Sequence, residues 1–238
     1  MTDSSVTAGI EMVDVALSSY FLSPASEPHL ATPDEVDAAI RGLKFCKAPG
    51  ANGIPNRALK HRAKRAVSFL NRIFNAVLRT HHFPQAWKRA REISLLKPGK
   101  DPALPSSYRP IRLLDTIGKL FEKILLATVL HVVKERWLLR DEEFGFRPEH
   151  STSLQLARLV ERITRNFGGK RLTGTVFLDV AKEFDTVWID GLLYRLTLLN
   201  FPSYIVHTFS SYLRGRTFEA SFQTATSPRR FMRAGIAK

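Results

Sequence analysis

The sequence has few of the features that mark extracellular or membrane proteins. It contains a single cysteine, Cys46, which excludes an intrachain disulfide and a zinc site built from several cysteines. No segment reaches the roughly 18 uncharged apolar residues that a membrane-spanning helix needs. Residues 1–20 contain neither lysine nor arginine and no compact apolar stretch, so no secretory signal is expected. We therefore expect an intracellular protein without a membrane partner.

Basic residues are missing from the start of the chain and abundant after it. Residues 1–40 hold seven acidic side chains, and the first basic side chain is Arg41. The whole chain has 36 basic and 22 acidic residues, a net charge of +14. Residues 41–238 therefore contain all 36 basic residues and 15 acidic ones, a net charge of +21. A body this basic predicts a polyanionic partner, most often nucleic acid. A merely basic soluble protein is the alternative.

Apolar periodicity and capping residues predict a mixed architecture. Thr32, Pro33 and Glu35 have the pattern of a helix start with a capping box, and Ser151 and Asp190 are further expected N-caps. Helices are expected at about 33–43, 60–80, 115–138, 151–167, 190–199 and 203–213, and strands at 92–96, 107–113, 173–180, 216–223 and 229–236. The first two strands flank a Pro-Gly turn and could form a hairpin. The two types do not alternate regularly, so the predicted class is α+β. Residues 1–31 are small and acidic, and they are interpreted as a lead-in or linker.

Asp179 is the clearest candidate for chemistry. It follows the apolar run Val176-Phe177-Leu178, which predicts a strand buried on both faces. A carboxylate at the end of such a strand is well placed to hold a divalent cation beside a phosphate. For an isolated strand-end aspartate, a turn or capping role is the alternative.

Four further segments follow one another along the chain: residues 47–50 with 53–55, residues 93–100 followed by 107–111, residues 144–148 with 150–152, and residues 177–188. Together they resemble motifs of the reverse transcriptases of non-long-terminal-repeat retrotransposons, most closely the jockey-like group. Each motif is weak alone, but their shared order and spacing are specific. The resemblance covers roughly residues 32–238.

This resemblance implies the fingers and a partial palm of a right-hand polymerase, truncated at both ends. Residues 32–238 would form a partial reverse transcriptase domain, with fingers at about 45–170 and the start of the palm, with an incomplete sheet, at about 171–238. The parent would be an RNA-directed DNA polymerase that uses two Mg²⁺ ions, an RNA template, a DNA primer and deoxynucleoside triphosphates. Its ribonucleoprotein would occupy the cytoplasm and nucleus.

The resemblance also implies roles for individual residues on the palm side. Asp179 would bind both Mg²⁺ ions, and the backbone carbonyl of Val180 would help to hold one of them. Phe184 would be the steric gate, an aromatic ring that excludes the ribose 2′-hydroxyl, the group that separates ribonucleotides from deoxyribonucleotides.

Three cations would act from the fingers. Lys97 and Arg109 would lie near the incoming triphosphate, where an ammonium and a planar guanidinium can neutralise charge on a transferring phosphoryl group. Ordinary surface charge on a hairpin is the alternative for both. Arg147 would contact template or nucleotide, or would form a buried salt bridge.

Several positions depart from the family pattern. Arg112 replaces a small polar residue, and Glu183 replaces a small residue beside the gate, where a carboxylate would repel a triphosphate. Such changes are typical of drift in a degenerate copy. Asp185 is interpreted as a local capping residue rather than a second metal ligand. The sequence also lacks the family's Ala-Asp-Asp hairpin and the Gln-Gly-x-x-x-Ser-Pro segment before it, so we expect no polymerase activity from these residues alone. A non-catalytic nucleic-acid-binding remnant is the alternative function.

Overall fold

Helices dominate the chain, and a small mixed sheet joins segments that are distant in sequence. The computed structural model describes residues 4–61, 64–147, 149–180, 183–222 and 225–232. The helices are α1 (Ser4–Leu22), α2 (Pro33–Arg41), α3 (Asn56–Lys60), α4 (Lys64–Thr80), α5 (Thr116–Glu135), α6 (Thr152–Gly168), α7 (Ile189–Leu198) and α8 (Ser203–Leu213). The strands are β1 (Arg89–Leu96), β2 (Tyr108–Leu113), β3 (Thr217–Phe222), β4 (Ala225–Thr226) and β5 (Arg230–Phe231). The predicted α+β class is confirmed.

Two helices begin with the caps that the sequence predicts. At α2, the Thr32 hydroxyl accepts a hydrogen bond from the Glu35 amide, and the Glu35 carboxylate accepts one from the Thr32 amide at 2.8 Å. At α6, the Ser151 hydroxyl accepts from the Leu154 amide at 3.2 Å. These bonds satisfy amides that a helix leaves unpaired at its first turn.

The cap predicted for α7 is wrong. The helix begins at Ile189, so Asp190 lies inside its first turn, and the residue at the cap position is Trp188, whose side chain makes no capping bond. The Asp190 carboxylate pairs instead with the guanidinium of Arg214, just after α8. A carboxylate in a first helical turn still complements the helix dipole, so the ion pair and the helix are compatible.

The sheet is built around β1. Strand β2 pairs with β1 antiparallel, with Glu92 opposite Arg112, which confirms the predicted hairpin. Strand β3 pairs with β1 parallel, with Ala90 opposite Phe218, and β4 and β5 both pair antiparallel with the other edge of β3. Residues 233–236, part of the last predicted strand, lie outside the described residues.

Strand β3, in the region expected to start the palm, pairs directly with β1, in the region expected to form the fingers. An ion pair of 2.6 Å between Arg89 and Glu219, and a hydrogen bond of 3.2 Å from Arg91 to the Ser221 hydroxyl, reinforce this pairing. The hairpin and β3 therefore belong to one sheet.

Residues 171–180 form neither helix nor strand. The predicted strand at 173–180, buried on both faces, is therefore wrong: Val176, Phe177 and Leu178 are 83%, 83% and 90% exposed. A strand is buried on both faces only when neighbouring strands flank it and further layers cover it. Among the described strands, β1 and β3 pair with each other, and none pairs with residues 173–180.

The segment interpreted as a lead-in contains a helix. Helix α1 buries Val13 and Leu17, which lie four positions apart on one face. At its end, the rings of Tyr20 and Phe21 pack on His207 of α8, with centroid distances of 5.9 and 4.9 Å. The segment was interpreted from its acidic and small residues, whereas a helix needs only one apolar stripe to pack.

The chain divides into two compact units. The first comprises Met1–Val129 and Lys182–Lys238, and the second comprises Leu130–Ala181. The first unit contains the sheet and an aromatic core in which Phe74, Phe83 and Phe121 are fully buried. The second contains α6 and the exposed residues 171–180. None of the described helices combines the length and apolarity required to cross a bilayer.

Candidate nucleotide site

The β1–β2 hairpin places Lys97 and Arg109 on one face. The Lys97 amide donates to the Ser107 carbonyl at 2.8 Å, so these two residues lie opposite each other. In the hairpin register Arg109 lies opposite Leu95, and Lys97 follows Leu95 by two positions, just after β1 ends; side chains two residues apart along an extended chain point to the same face. Diagonal neighbours of this kind are close enough for long side chains to interact. The two predicted cations are thus neighbours.

The turn that carries Lys97 is held by hydrogen bonds to main-chain carbonyls. The Lys97 ammonium donates to the Ser106 carbonyl at 2.7 Å, and the Tyr108 hydroxyl donates to the Pro102 carbonyl at 3.0 Å. An ammonium has three donors, so this bond leaves Lys97 able to bind an anion. The side chain of Arg109 is exposed. The hairpin therefore presents an exposed guanidinium on β2 and, just after β1, a half-buried lysine with donors left for an anion.

Phe184 lies in a turn of the first unit, directly before Asp185. The Asp185 carboxylate is 3.5 Å from Nη1 of Arg112 on β2. Because α7 begins only at Ile189, the interpretation of Asp185 as a capping residue is wrong. The Thr186 hydroxyl donates to the Glu183 carbonyl at 3.4 Å, across the same turn. The half-buried ring of Phe184 is thus carried by a turn that contacts the hairpin.

Asp179 and Val180 lie in the second unit, on the exposed segment 171–180. A carboxylate and a backbone carbonyl are hard oxygen ligands of the type that Mg²⁺ prefers. Within the described residues, no group of three or more histidine, cysteine, aspartate or glutamate side chains is placed to hold a metal ion. These two residues therefore fit a Mg²⁺ site chemically but supply only part of its ligands.

Arg147 is engaged within its own loop in the second unit. Its Nη1 donates to the carbonyl of Arg140 at 2.7 Å and to that of Glu143 at 3.1 Å. These bonds to carbonyl oxygens differ from the buried salt bridge that was one of the two predicted roles. A contact with template or nucleotide stays a prediction.

Ion pairs across the sheet were not predicted. Glu219 of β3 binds Arg89 of β1 at 2.6 Å and Arg229 at 3.1 Å, and hydrogen bonds from Arg89 and then Arg229 lower the pKa of its carboxyl. The Glu92–Arg112 pair follows from the register of the hairpin and could have been read from the sequence. The Glu219 contacts could not, because they depend on the parallel pairing of β1 with β3.

A buried guanidinium links the sheet to the helices. Arg216 is 2% exposed; its Nη2 lies 3.6 Å from Oε1 of Glu122 on α5, and its Nε donates to the Tyr212 carbonyl at 2.8 Å. Burial raises the pKa of the Glu122 carboxyl, against the opposing effect of Arg216. Burial, followed by the charge of Arg216, lowers the pKa of Lys88. This cluster has a structural role, because it ties the start of β3 to α5 and α8.

The profile of the reverse transcriptase (RNA-dependent DNA polymerase) family matches residues 95–236, more than half of the chain. The matched residues begin in β1 and include the hairpin cations, Asp179 and Phe184. The chain therefore belongs to the reverse transcriptase family, as its motifs indicated.

Individual relatives are RNA-directed DNA polymerases of a transposon and of the mobile element jockey. The chain is 39% identical over 203 residues to the probable RNA-directed DNA polymerase from transposon BS of Drosophila melanogaster, covering 85% of this chain and 22% of that protein. It is 36% identical over 205 residues to the RNA-directed DNA polymerase from mobile element jockey of Drosophila funebris, with 86% and 22% covered. For the jockey protein of Drosophila melanogaster the identity is 37% over 205 residues, with the same shares covered. The chain thus spans about a fifth of the length of these relatives.

Proposed function

We propose that this chain is part of an RNA-directed DNA polymerase of a retrotransposon, and that it supplies cations for the incoming nucleotide and the first metal-binding aspartate. The observation that carries this proposal is the hairpin that brings Lys97 and Arg109 onto one face. Membership of the reverse transcriptase family and the names of the relatives support it. The finer assignment of residues 45–170 to fingers and 171–238 to palm belongs to the same proposal, as does a ribonucleoprotein in the cytoplasm and nucleus.

The hairpin cations suit a triphosphate. Lys97 offers a compact ammonium, and Arg109 offers a planar fork of donors that matches two phosphate oxygens. Phosphoryl transfer depends mainly on positioning and on stabilising charge on the phosphoryl oxygens. The two side chains would bind and orient the triphosphate, and the ring of Phe184 would select the sugar.

Asp179 and Val180 would hold Mg²⁺ through carboxylate and carbonyl oxygens. A Mg²⁺ ion held there would supply positive charge to stabilise the phosphate oxygens of the nucleotide. Two-metal sites hold their ions about 3.5–4 Å apart, which requires several carboxylates. We therefore expect the isolated 238 residues to bind a nucleotide without polymerising it. Primer extension on an RNA template with Mg²⁺ tests this, and templated incorporation would overturn that part of the proposal.

A nucleotide titration tests the hairpin. We expect Lys97→Ala and Arg109→Ala each to weaken binding of a fluorescent dTTP analogue by about tenfold, the loss typical of a charged hydrogen bond. Lys134→Ala removes an exposed cation at the end of α5 and serves as the matched control. Equal affinities for all three variants would remove the triphosphate role of the hairpin.

Nucleic-acid binding without catalysis is the second candidate function, and the charge of residues 41–238, +21, favours it. Binding through phosphate contacts weakens steeply with salt, because bound cations are released from the nucleic acid. A filter-binding titration with an RNA–DNA duplex at several salt concentrations measures this slope. The absence of salt-dependent affinity would exclude this candidate.

A further inference from the structure

Arg112 lies at a junction of the sheet and the turn that carries Phe184. Its Nε is 3.1 Å from Oε2 of Glu92 on β1, and its Nη1 is 3.5 Å from Oδ1 of Asp185. The centre of its guanidinium lies 5.7 Å from the centroid of the Phe218 ring on β3. The Arg112 side chain is only 17% exposed. The guanidinium of Arg112, on β2, thus contacts two other strands, β1 and β3, and one turn.

The geometry suits an arginine in particular. The planar guanidinium presents donors in fixed directions, so one edge can bind one carboxylate while another reaches a second. The register of the hairpin sets Glu92 directly opposite Arg112, which fixes the first of these bonds. An aromatic face beside the guanidinium adds a cation–π attraction. The remaining arm is therefore held in place and points to Asp185.

We infer that Arg112 is a positioning residue for the nucleotide site. By binding Asp185, it holds the turn at residues 183–186 against the β1–β2 hairpin, and the ring of Phe184 with it. This inference rests on the proposed function, in which Phe184 selects the sugar and the hairpin binds the triphosphate. It replaces the interpretation of Arg112 as drift in a degenerate copy, because the substituted side chain has two carboxylate partners.

How strongly Arg112 holds the turn depends on how exposed the paired side chains are. Glu92 and Arg112 are mostly buried, whereas Asp185 is 54% exposed. Pairs with one exposed partner are screened by water, and measured values for such pairs correspond to equilibrium changes of about two- to fivefold. Arg112 should therefore bias the position of the turn and leave the fold intact.

Fluorine NMR of the whole chain, labelled with 4-fluorophenylalanine, tests the position of the ring. Phe184→Leu assigns the Phe184 signal. In Arg112→Gln and Asp185→Asn, we expect this signal to move towards that of an exposed phenylalanine such as Phe167, which is 80% exposed. Arg112→Lys keeps the positive charge but lacks the planar guanidinium, so it should move the Phe184 signal less.

Arg41→Gln is the control, because Arg41 pairs with Asp37 within a single helix at 2.6 Å. It should leave the Phe184 signal in place. Thermal unfolding confirms that each variant is folded. An unmoved Phe184 signal in folded Arg112→Gln and Asp185→Asn would overturn the inference.

A second measurement separates the inference from the proposed function. The preference of the chain for a dTTP analogue over the UTP analogue should fall by about two- to fivefold in Asp185→Asn, whereas Arg41→Gln keeps it. An unchanged preference would overturn the role of Arg112 in sugar selection. If the wild-type chain binds neither analogue, the proposed function fails, and the NMR result alone decides whether Arg112 holds the turn.

Discussion

Gly50 packs directly against Asp115. A methyl group on its α-carbon would lie 2.5 Å from the Asp115 amide nitrogen and 2.6 Å from its Oδ1. The same carboxylate accepts a hydrogen bond from the Asn52 amide at 3.1 Å, and the Thr116 hydroxyl donates to the Ile54 carbonyl at 2.8 Å. The loop at residues 47–55 is therefore fastened to the start of α5 by a contact that only glycine permits.

Gly50→Ala should destabilise the first unit. The added methyl group meets backbone atoms that cannot rotate away, and overpacking of this kind costs about 1–3 kcal/mol. The free energy of unfolding, measured with urea, should fall by that amount. Gly145→Ala is the matched control, because a methyl group there meets nothing within 4 Å. Equal losses in the two variants would contradict the close contact.

Truncation of the Phe83 side chain should also lower the stability of the first unit. Its ring is fully buried, with centroids 5.5 Å from Trp87, 5.8 Å from Phe121 and 5.0 Å from Tyr212. Phe83→Ala should lower the free energy of unfolding by about 3–5 kcal/mol, the range for a buried phenylalanine. Phe167→Ala, at an 80% exposed ring, should change it by less than about 1 kcal/mol. A small loss for Phe83→Ala would show that this aromatic core is not formed.

A pair of histidines should make stability depend on pH. The rings of His81 and His207 are 5.5 Å apart, and Nδ1 of His81 and Nε2 of His207 are buried without a hydrogen-bond partner within the described part of the chain. Burial lowers the pKa of both imidazoles, and the neighbouring His81 lowers that of His207 further. Below an unfolded pKa of about 6.5, the unfolded chain binds more protons than the folded one, so acid destabilises the fold.

Urea midpoints at about pH 7.5 and 5.5, on either side of that unfolded value, measure the effect. Stability should be fully present at the higher pH and partly lost at the lower one, and His207→Gln should reduce this difference. The raised pKa of Glu122 acts in the opposite direction, so the comparison between wild type and variant isolates the histidine. His131→Gln, at a histidine paired with Glu135 on the surface of α5, should keep the full difference. An identical pH response in His207→Gln and wild type would refute the prediction.

Local features of the fold could be predicted from sequence, and long-range pairings could not. Thr32 with Glu35, and Ser151, are short-range caps whose partners lie three residues away. The hairpin followed from two apolar runs around a Pro-Gly turn. The parallel pairing of β1 with β3 joins residues such as Arg89 and Thr217, and local patterns carry no information about that choice.

For the candidate site, too, local features could be predicted from the sequence and long-range contacts could not. Ordered motifs identified Lys97, Arg109 and Asp179 as candidates, and the hairpin register then placed the two cations together. The apolar run before Asp179 predicted a buried strand, which the structure does not form. Its exposure in the structure depends on which strands are available to pair with it, which no residue within the run specifies. The contact between Arg112 and Asp185 could not be predicted from local patterns, because the two residues lie far apart in the sequence.

Calorimetric titration of dTTP with and without Mg²⁺ tests most directly whether Asp179 belongs to the metal site of a polymerase. We predict that Mg²⁺ tightens binding to the wild-type chain by about tenfold, the gain expected when a charged ligand adds about 1.4 kcal/mol, and that Asp179→Asn loses this gain. Asp34→Asn, at an exposed acid in the first turn of α2, should retain it. The same Mg²⁺ dependence in Asp179→Asn and wild type, or none in either, would contradict the assignment.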